Sequence, residues 1–372
     1  MTFKSLESAF RLGVRRTSIY KLQDPTKRIH ANFTLISNRF QSTSSQTPEE
    51  KPLADSTVIK LLNDDSHWLS QSTKGVGQVV FVNHSLCGAA MLGGLFVGDL
   101  YLGLLATLGT FTSTIIARNT HMDQSTLKGG LWSYNGCLVG CATSVFLAPE
   151  SVLLGVTCTV AGAAASTFVT AALGNALQGR MPQWTYAFNI TTLTMLLYAK
   201  PFNGTEASTP PTVTMDISTL VSIPFKGISQ IYVVDNAWTG AILTGSMAYW
   251  YSPKLASHLV MGSAVGSATG FLMGVPIAEL TMGLYGFNSA LTSAAVAVFF
   301  VPTTQSTALS IGGAATTAVL FGALKTVFGE CFASPALTLP FCLTMSGCYL
   351  LQNTIPGLSL AKNPHSPEKN QA

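Results

Sequence analysis

The residues best suited to chemistry in this chain are uncharged side chains that carry an oxygen atom and occur twice. Gln78 is repeated as Gln230 and Thr185 as Thr338, at spacings of 152 and 153 residues. Amide and hydroxyl oxygens accept hydrogen bonds worth about 1 kcal/mol net each, so several in series hold a small solute weakly enough for it to leave again. An ion would instead need compensating charge or several carbonyl ligands. The pattern predicts a pathway for a neutral, hydrogen-bonding solute.

The same residue types also join membrane helices to one another, because Gln, Asn and Thr form hydrogen bonds across helix contacts. Taken singly, each of these residues fits that structural role. Duplication favours the pathway, since two inverted copies would place both threonines and both glutamines around one central axis. For Asn135 and its repeat Asn288, each beside an aromatic residue, we predict backbone bonding at a helix break instead.

Catalytic and metal-binding signatures are missing from the apolar region of the sequence. It contains no paired carboxylates, glycine-rich phosphate loop, HExxH, GxSxG or Walker sequence, so we predict that the protein is not an enzyme. His84 lies in a repeated segment, and a structural role is favoured for it over a functional one. Cys137 and Cys141 share a helical face without a nearby His or carboxylate, so we predict no metal and no cofactor.

Membrane helices must position the repeated side chains. Of the 372 residues, 48% are hydrophobic and only 10% are charged, with a mean hydropathy of +0.39, whereas soluble domains carry about 25% charged residues. Several of the apolar runs are shorter than the roughly 20 residues of a straight crossing. Five crossings in the first half turn the second half over, so the repeats are predicted to be inverted. The runs are approximately 86–98, 100–117, 131–148, 151–173, 187–199, 237–251, 255–275, 284–301, 306–328 and 337–351.

Composition divides the chain into five segments. We predict a polar, basic and mostly disordered segment (1–73), a first membrane half (74–202), a connecting loop (203–225), a second membrane half (226–353) and a polar C-terminal tail (354–372). Asn203, in the connecting loop, begins a sequon that we predict to be external and available for glycosylation.

The basic N-terminal segment bears on the location of the protein. Its first 48 residues carry eight Lys or Arg against two acidic residues, a bias shared by cytoplasmic tails and mitochondrial transit peptides. We favour the tail, and hence the plasma membrane, with a mitochondrial membrane as the alternative. The net charge of +4 comes mainly from this segment, so the charge indicates membrane orientation and nucleic acid is not a predicted partner.

Longer motifs around these residues follow a known pattern. They are Gln78 to Gly88, Gly130 to Gly140 with Tyr-Asn-Gly-Cys-Leu-Val-Gly, Gln230 to Gly240, Gly283 to Leu291 with Gly-Leu-Tyr-Gly-Phe-Asn-Ser-Ala-Leu, and Leu337-Thr338-Leu339-Pro340-Phe341. Over about residues 75–353 the chain resembles the urea transporter family. The resemblance implies an all-α polytopic membrane protein with two inverted-topology halves, each of about five transmembrane helices plus a tilted re-entrant segment, and a pore at the pseudo-two-fold interface. It also implies passive, channel-like transport of urea and close analogues across the lipid bilayer, by a homotrimer with one pore per subunit.

The resemblance also implies roles for individual residues. Thr185 and Thr338 are similar to the threonines of the narrow central site, and Gln78 and Gln230 to the residues that open the re-entrant segments. The walls of the slot would then be formed by Phe81 and Val233 near its two ends, with Tyr134, Phe287, Leu138 and Leu291. Urea has four N–H donors and one carbonyl acceptor, which suits a flat slot edged by acceptor oxygens.

Two positions depart from the family pattern. Ala187 stands where the first-half Thr-x-Pro-Phe has its proline, so the helix break there is predicted to be less secure, and His84 stands where the family has asparagine. The alternative function is an ion-coupled secondary transporter of a small neutral amide or amine, with Asp235 and Glu279 as candidate ion-binding residues. A water or glycerol channel is disfavoured because the paired Asn-Pro-Ala sequence does not occur.

Overall fold

The fold is built from α-helices. The computed structural model describes residues 57–148, 151–199 and 216–371, all of which belong to one compact unit. Over these residues the regular structure is helical, apart from one isolated antiparallel bridge between Phe300 and Leu360. Asn203, with its predicted sequon, and the basic N-terminal residues 1–48 lie outside the described residues.

The helices occur in two series that follow the same order. A short helix, α1 (Thr57–Asn63), precedes both series. The first series is α2 (Trp68–Gln78), α3 (Ser85–Gly98), α4 (Leu100–Asn119), α5 (Gln124–Lys128), α6 (Tyr134–Ala142, continued by a π-helical turn, Thr143–Leu147), α7 (Val152–Leu177) and α8 (Tyr186–Ala199). The second is α9 (Ile217–Gln230), α10 (Ala237–Trp250), α11 (Pro253–Leu272), α12 (Ile277–Thr281), α13 (Phe287–Phe299), α14 (Thr304–Phe332) and α15 (Leu339–Leu350). The repeat in the sequence is therefore also a repeat of structure.

Four of the described helices, α4, α7, α11 and α14, are long and apolar enough to cross a membrane. They occupy equivalent places in the two series. Helices α3, α13 and α15, and α6 with its π-helical turn, are apolar but have only 10–17 residues, fewer than the roughly 20 of a straight crossing. The short apolar runs in the sequence are thus short helices in the structure. The protein is an all-α, multi-pass membrane protein.

Glycines allow neighbouring helices to approach closely at equivalent points of the two series. A Cβ atom at Gly88 of α3 would lie 1.8 Å from the carbonyl oxygen of Thr73 in α2, and one at Gly240 of α10 would lie 1.9 Å from that of Phe225 in α9. No larger residue fits at either position. Helices α2 and α3 therefore cross in direct backbone contact, as do α9 and α10.

Left-handed backbone conformations interrupt the chain at the same places in both series. Phe81 follows α2 with a φ of 65°, and its repeat Val233 follows α9 with a φ of 63°. Trp184 (φ 47°) and Leu337 (φ 49°) stand two residues before α8 and α15. Such conformations cost about 1–3 kcal/mol each in non-glycine residues and persist where the surrounding structure enforces them. They set the points at which α8 and α15 begin.

The two series contact each other through equivalent helices. The Sγ of Cys87 in α3 donates to the Oγ of Ser246 in α10 over 3.7 Å, and the Oγ1 of Thr239 in α10 donates to the carbonyl oxygen of Gly94 in α3 over 2.9 Å. The first contact joins the beginning of α3 to the end of α10, and the second joins their other ends. Helices α3 and α10 therefore pack antiparallel.

The segment after α15 folds back onto the helices. The side-chain amide of Asn370 donates to the carbonyl oxygens of Ala297 (3.2 Å) and Val298 (2.7 Å) near the end of α13. Glu368 accepts a hydrogen bond of 2.6 Å from the hydroxyl of Ser252. The polar segment predicted as a tail thus has specific contacts with the helical body, formed by a few polar side chains.

Ordered helices also begin before residue 74, within the segment predicted to be mostly disordered. Helix α2 starts at Trp68, and Ser70 and Ser72 in it are fully buried. The polar side chains here are satisfied inside the protein: Lys74 Nζ lies 2.6 Å from Asp65 Oδ1, and the hydroxyl of Ser72 donates to that of Thr114 over 2.9 Å. Internal hydrogen bonds between polar side chains therefore help to hold this helix in place.

Candidate solute pathway

Two cavities are lined by equivalent residues of the two series. The first cavity, of about 510 Å³, is lined by residues that include Gln78, Phe81, Tyr134 and Thr185. The second cavity, of about 670 Å³, is lined by residues that include their repeats Gln230, Val233, Phe287 and Thr338. Eight of the ten predicted pathway residues thus lie at a cavity wall, four at each cavity.

Thr185 and Thr338 meet between the two cavities. Their hydroxyl oxygens lie 2.7 Å apart in a direct hydrogen bond, although the residues are 153 positions apart in the chain. Each side chain is buried, and each residue is only 3% exposed. Thr185 lines the first cavity and Thr338 the second. The two halves therefore bring their equivalent hydroxyl groups to one point.

Gln78 and Gln230 do not meet, but their side-chain amides are held in the same way. The Nε2 of Gln78 donates to the carbonyl oxygen of Gly129 over 2.8 Å, and the Nε2 of Gln230 donates to that of Met282 over 3.0 Å. Each bond uses one of the two N–H groups of the amide and leaves the amide oxygen as an acceptor. The glutamines thus lie one at each cavity, in equivalent places of the two series.

Aromatic rings form much of the first cavity wall. The ring of Phe81 lies 6.0 Å from that of Phe299 and 6.2 Å from that of Phe341. Trp184 contacts the same two rings, at 5.2 Å and 6.0 Å. These mostly edge-to-face contacts hold four rings in fixed orientations. The wall beside the hydroxyl of Thr185 is therefore largely aromatic and apolar.

The remaining predicted wall residues divide into two groups. The hydroxyl of Tyr134 donates to the carbonyl oxygen of Trp184, a bond that the equivalent Phe287 lacks the hydroxyl to make. Leu138 and Leu291 lie one turn further along α6 and α13, are fully buried and line neither cavity. At that depth the two helices pack into the hydrophobic core, which takes both leucines away from the cavities.

Asn135 and Asn288 bond to the backbone at the start of the helices that follow the threonines. Asn135 Oδ1 accepts from the N–H of Phe188 in α8, and Asn288 Oδ1 accepts from that of Phe341 in α15, each over 3.3 Å. The first N–H groups of a helix have no partner within the helix, so these bonds satisfy otherwise free donors. The predicted backbone bonding at a helix break is confirmed. Because Asn135 satisfies this N–H group, α8 begins immediately after Thr185 even though residue 187 is alanine and not the proline of the family pattern.

His84 has a structural role at the start of α3. Its ring Nδ1 accepts a hydrogen bond of 3.2 Å from the N–H of Cys87. At the equivalent position before α10, Asn236 Oδ1 accepts from the N–H groups of Trp238 (2.8 Å) and Thr239 (3.2 Å). Histidine thus supplies the same kind of helix cap as asparagine. The departure from the family pattern preserves an acceptor where the helix needs one.

The two acidic residues considered for ion coupling are each paired with a lysine. Lys226 Nζ lies 2.9 Å from Asp235 Oδ1, and Lys325 Nζ lies 2.5 Å from Glu279 Oε1. Asp235 and Lys325 line the second cavity. Each pair is neutral as a unit, so neither carboxylate acts as an isolated ion-binding charge.

No group of three or more His, Cys, Asp and Glu side chains that could hold a metal ion occurs within the described parts of the chain. The seven cysteines are free thiols. Cys137 and Cys141 are both fully buried in the core, consistent with a packing role for this pair.

Comparison with known proteins places the sequence in a family. Residues 69–353 match the family described as urea transporter. The chain belongs to the urea transporter family. It is 31% identical over 320 residues to urea transporter 1 of Rattus norvegicus, a match that covers 79% of this chain and 80% of that protein. It is likewise 31% identical over 325 residues to urea transporter 1 of Ovis aries, covering 80% of this chain and 81% of the relative. As members of a transporter family do, the protein moves a solute and is not an enzyme.

Four further residues lie beside the central threonine pair, although the sequence analysis does not predict a role for them at this site. Trp184 and Leu337 directly precede the two threonines and adopt left-handed conformations. Asn189 and Cys342 each lie four residues after a threonine, where they contact the central pair. Their spacing of 153 residues was available as a signal. Because Asn189 carries an amide and Cys342 a thiol, the sequence does not show them as a repeated pair.

Proposed function

We propose that the protein conducts urea passively, through a narrow uncharged pathway that joins the two cavities at Thr185 and Thr338. The observation that carries this proposal is the 2.7 Å contact between the two hydroxyl oxygens, with one threonine lining each cavity. Both residues are 3% exposed, so a solute at this point would meet their oxygens and little water. Membership of the urea transporter family supports urea as that solute.

The side chains along the proposed pathway suit the hydrogen bonds of urea. Urea offers four N–H donors and one carbonyl acceptor. In the first cavity it would exchange water for the amide oxygen of Gln78, then reach the two hydroxyls, and then meet Gln230 in the second cavity. Each bond contributes about 1 kcal/mol net, so no single site retains the solute. Because the hydroxyl oxygens are in contact, urea passes beside the pair and not between its members.

We place the two halves in opposite orientations in the bilayer, each with five crossings and a re-entrant segment, and the pathway at their pseudo-two-fold interface. The antiparallel contact of the equivalent helices α3 and α10 supports this arrangement. The direct contact between equivalent threonines supports it as well, because residues that lie near a two-fold axis meet their own repeats.

We propose further that the protein is a plasma-membrane homotrimer with one pathway in each subunit. Family membership supports this assembly. Light scattering of the detergent-purified protein is expected to give three times the mass of one chain, and a monomer mass would exclude it. Cell-surface biotinylation of the expressed full chain is expected to label the protein. Recovery only in the mitochondrial fraction would favour the alternative location.

Osmotic shrinkage of proteoliposomes tests the proposed function directly. Vesicles that contain the protein are expected to re-swell through urea entry much faster than protein-free vesicles, while glycerol and methylammonium enter at the rate of the lipid alone. Imposed proton or sodium gradients are expected to leave urea entry unchanged. Equal rates with and without the protein would refute urea conduction, and a gradient dependence would establish the ion-coupled alternative.

A further inference from the structure

A chain of four side chains passes through the central threonine pair. The side-chain amide nitrogen of Asn189 lies 2.9 Å from Thr338 Oγ1, Thr338 Oγ1 lies 2.7 Å from Thr185 Oγ1, and Thr185 Oγ1 lies 3.2 Å from Cys342 Sγ. All four residues are buried. Asn189 follows Thr185 by one helical turn in α8, and Cys342 follows Thr338 by one turn in α15.

The orientation of the Asn189 amide fixes one end of this chain. The atom that contacts Thr338 also lies 2.9 Å from the backbone carbonyl oxygen of Thr185. A carbonyl oxygen only accepts hydrogen bonds, so the atom facing it must be the amide nitrogen. An amide nitrogen only donates. Thr338 Oγ1 is therefore the acceptor in its contact with Asn189.

The hydroxyl hydrogens of both threonines follow from that first bond. Within the described part of the chain, Thr185 Oγ1 is the only acceptor within hydrogen-bond distance for the Thr338 hydroxyl, so Thr338 donates to Thr185. Thr185 then donates to Cys342 Sγ. Each threonine oxygen accepts one bond and donates one, which leaves one lone pair free on each. The pair thus offers two acceptors and no free donor.

The two halves of the molecule carry different residues at the position that sets the donor-to-acceptor direction of these hydrogen bonds. Asn189 and Cys342 occupy equivalent positions, but the amide is a strong donor and the thiol a weak one. The Oδ1 of Asn189 is itself buried without a hydrogen-bond partner among the described residues. An unpartnered buried oxygen costs free energy, so the amide of Asn189 contributes through its nitrogen and not through its oxygen.

We infer that Asn189 is a positioning residue that directs both central hydroxyls so that, toward the solute, they can only accept hydrogen bonds, and that it thereby selects solutes rich in N–H groups. The inference rests on the proposed function, since it concerns solutes that pass the same threonines. Acetamide is the informative comparison, because it has the shape of urea with one NH₂ replaced by a methyl group. It offers two N–H donors where urea offers four.

Transport of urea and acetamide by Asn189→Leu proteoliposomes tests this inference. Leucine has a similar shape and cannot donate, so the Thr338 hydroxyl becomes free to rotate and to point its hydrogen at the solute. The carbonyl oxygen that both solutes share gains this donor equally. Urea alone loses an acceptor for its second NH₂ group, which acetamide lacks. The ratio of urea to acetamide permeability is expected to fall about fivefold, the equivalent of one hydrogen bond. Thr192→Val is the matched control on the same helix, because the Thr192 hydroxyl is buried without a partner in the described structure. Its ratio is expected to equal that of the wild type.

A double-mutant cycle separates positioning from mere packing. If Asn189 acts through the Thr338 hydroxyl, Asn189→Leu changes the urea to acetamide ratio by less than about twofold once Thr338 is already valine. A ratio that falls equally in both backgrounds would overturn the inference. So would an unchanged ratio in Asn189→Leu when the wild type conducts urea normally, whereas a wild type that conducts no urea would refute the proposed function itself.

A second variant guards against misfolding of Asn189→Leu. Asn189→Cys places in the first half the side chain that the second half already accommodates at Cys342. It also removes the strong donor, so the same fall in the ratio is expected. A folded Asn189→Cys protein with the wild-type ratio would contradict the assigned role.

Discussion

Replacing Thr338 with valine removes one of the two central hydroxyls and leaves a side chain of nearly the same shape. In the structure this hydroxyl bonds to Thr185 Oγ1 at 2.7 Å and to the amide of Asn189 at 2.9 Å. Its free lone pair would bond to urea in transit. Loss of one such bond, worth about 1 kcal/mol, raises the barrier enough to slow urea about fivefold.

The same substitution also lowers stability, and the assay must separate the two effects. Thr185 loses one of its two side-chain bonds and Asn189 loses one of its acceptors, although each keeps another partner. Each lost hydrogen bond costs about 0.5–1.5 kcal/mol. Urea flux is therefore normalised to the amount of folded protein recovered by size-exclusion chromatography. Thr344→Val on the same helix, α15, is the matched control, because the Thr344 hydroxyl is buried without a partner among the described residues.

Stopped-flow light scattering of proteoliposomes measures the flux. Thr338→Val is expected to conduct urea about fivefold more slowly than the wild type, and Thr344→Val at the wild-type rate. If folded Thr338→Val conducts urea within twofold of the wild type, the hydroxyl pair does not contact the solute. Equal losses in both variants would instead assign the effect to a general disturbance of α15.

Three further outcomes follow from the described contacts. Glu279→Gln breaks a partly exposed ion pair worth about 0–1 kcal/mol. Urea flux is therefore expected to stay within about twofold of the wild-type value and to remain independent of a sodium gradient. A new dependence on the gradient would contradict the structural role of the pair. His84→Ala removes the cap of α3 and is expected to cost about 1 kcal/mol in thermal unfolding, whereas His84→Asn keeps the acceptor and is expected to unfold near the wild-type temperature. Burial, and secondarily Lys369, lower the pKa of His365 from its usual 6.5. Protonation of His365 therefore favours release of residues 360–371 from the helices, so their docking is expected to be complete above pH 6.5 and to weaken as the pH falls below it. Limited proteolysis of this segment is expected to become faster at low pH, and an unchanged rate would contradict the prediction.

The apolar runs and the duplicated motifs predicted most of the helical architecture. The run predicted at 86–98 is helix Ser85–Gly98, and that at 237–251 is helix Ala237–Trp250. These boundaries were readable because polar caps and glycines bound continuous apolar segments. Duplication and the family resemblance both predicted that Thr185 and Thr338 lie at the centre, since equivalent residues near a two-fold axis come together.

Other features depend on single contacts that no periodicity reveals. The polar segment after α15 looks like a free tail in composition, yet the amide of Asn370 and the carboxylate of Glu368 attach it to the helices. The glutamines lie at separate cavities because Gly129 and Met282 place their carbonyl oxygens there. Such bonds are set by tertiary geometry, and sequence spacing carries no record of them.

The two cavity mouths differ although the backbone that builds them is duplicated. Pro364 and His365 of the C-terminal segment lie at the first cavity, whereas the charged residues Asp235 and Lys325 lie at the second. Unequal entrances change how fast a solute arrives from either face. They cannot produce a net flux in one direction. At equal solute concentrations on the two sides, detailed balance makes the inward and outward fluxes identical whatever the shape of the energy barrier. The asymmetry of this molecule can therefore tune the speed of equilibration across the membrane, but never its end point.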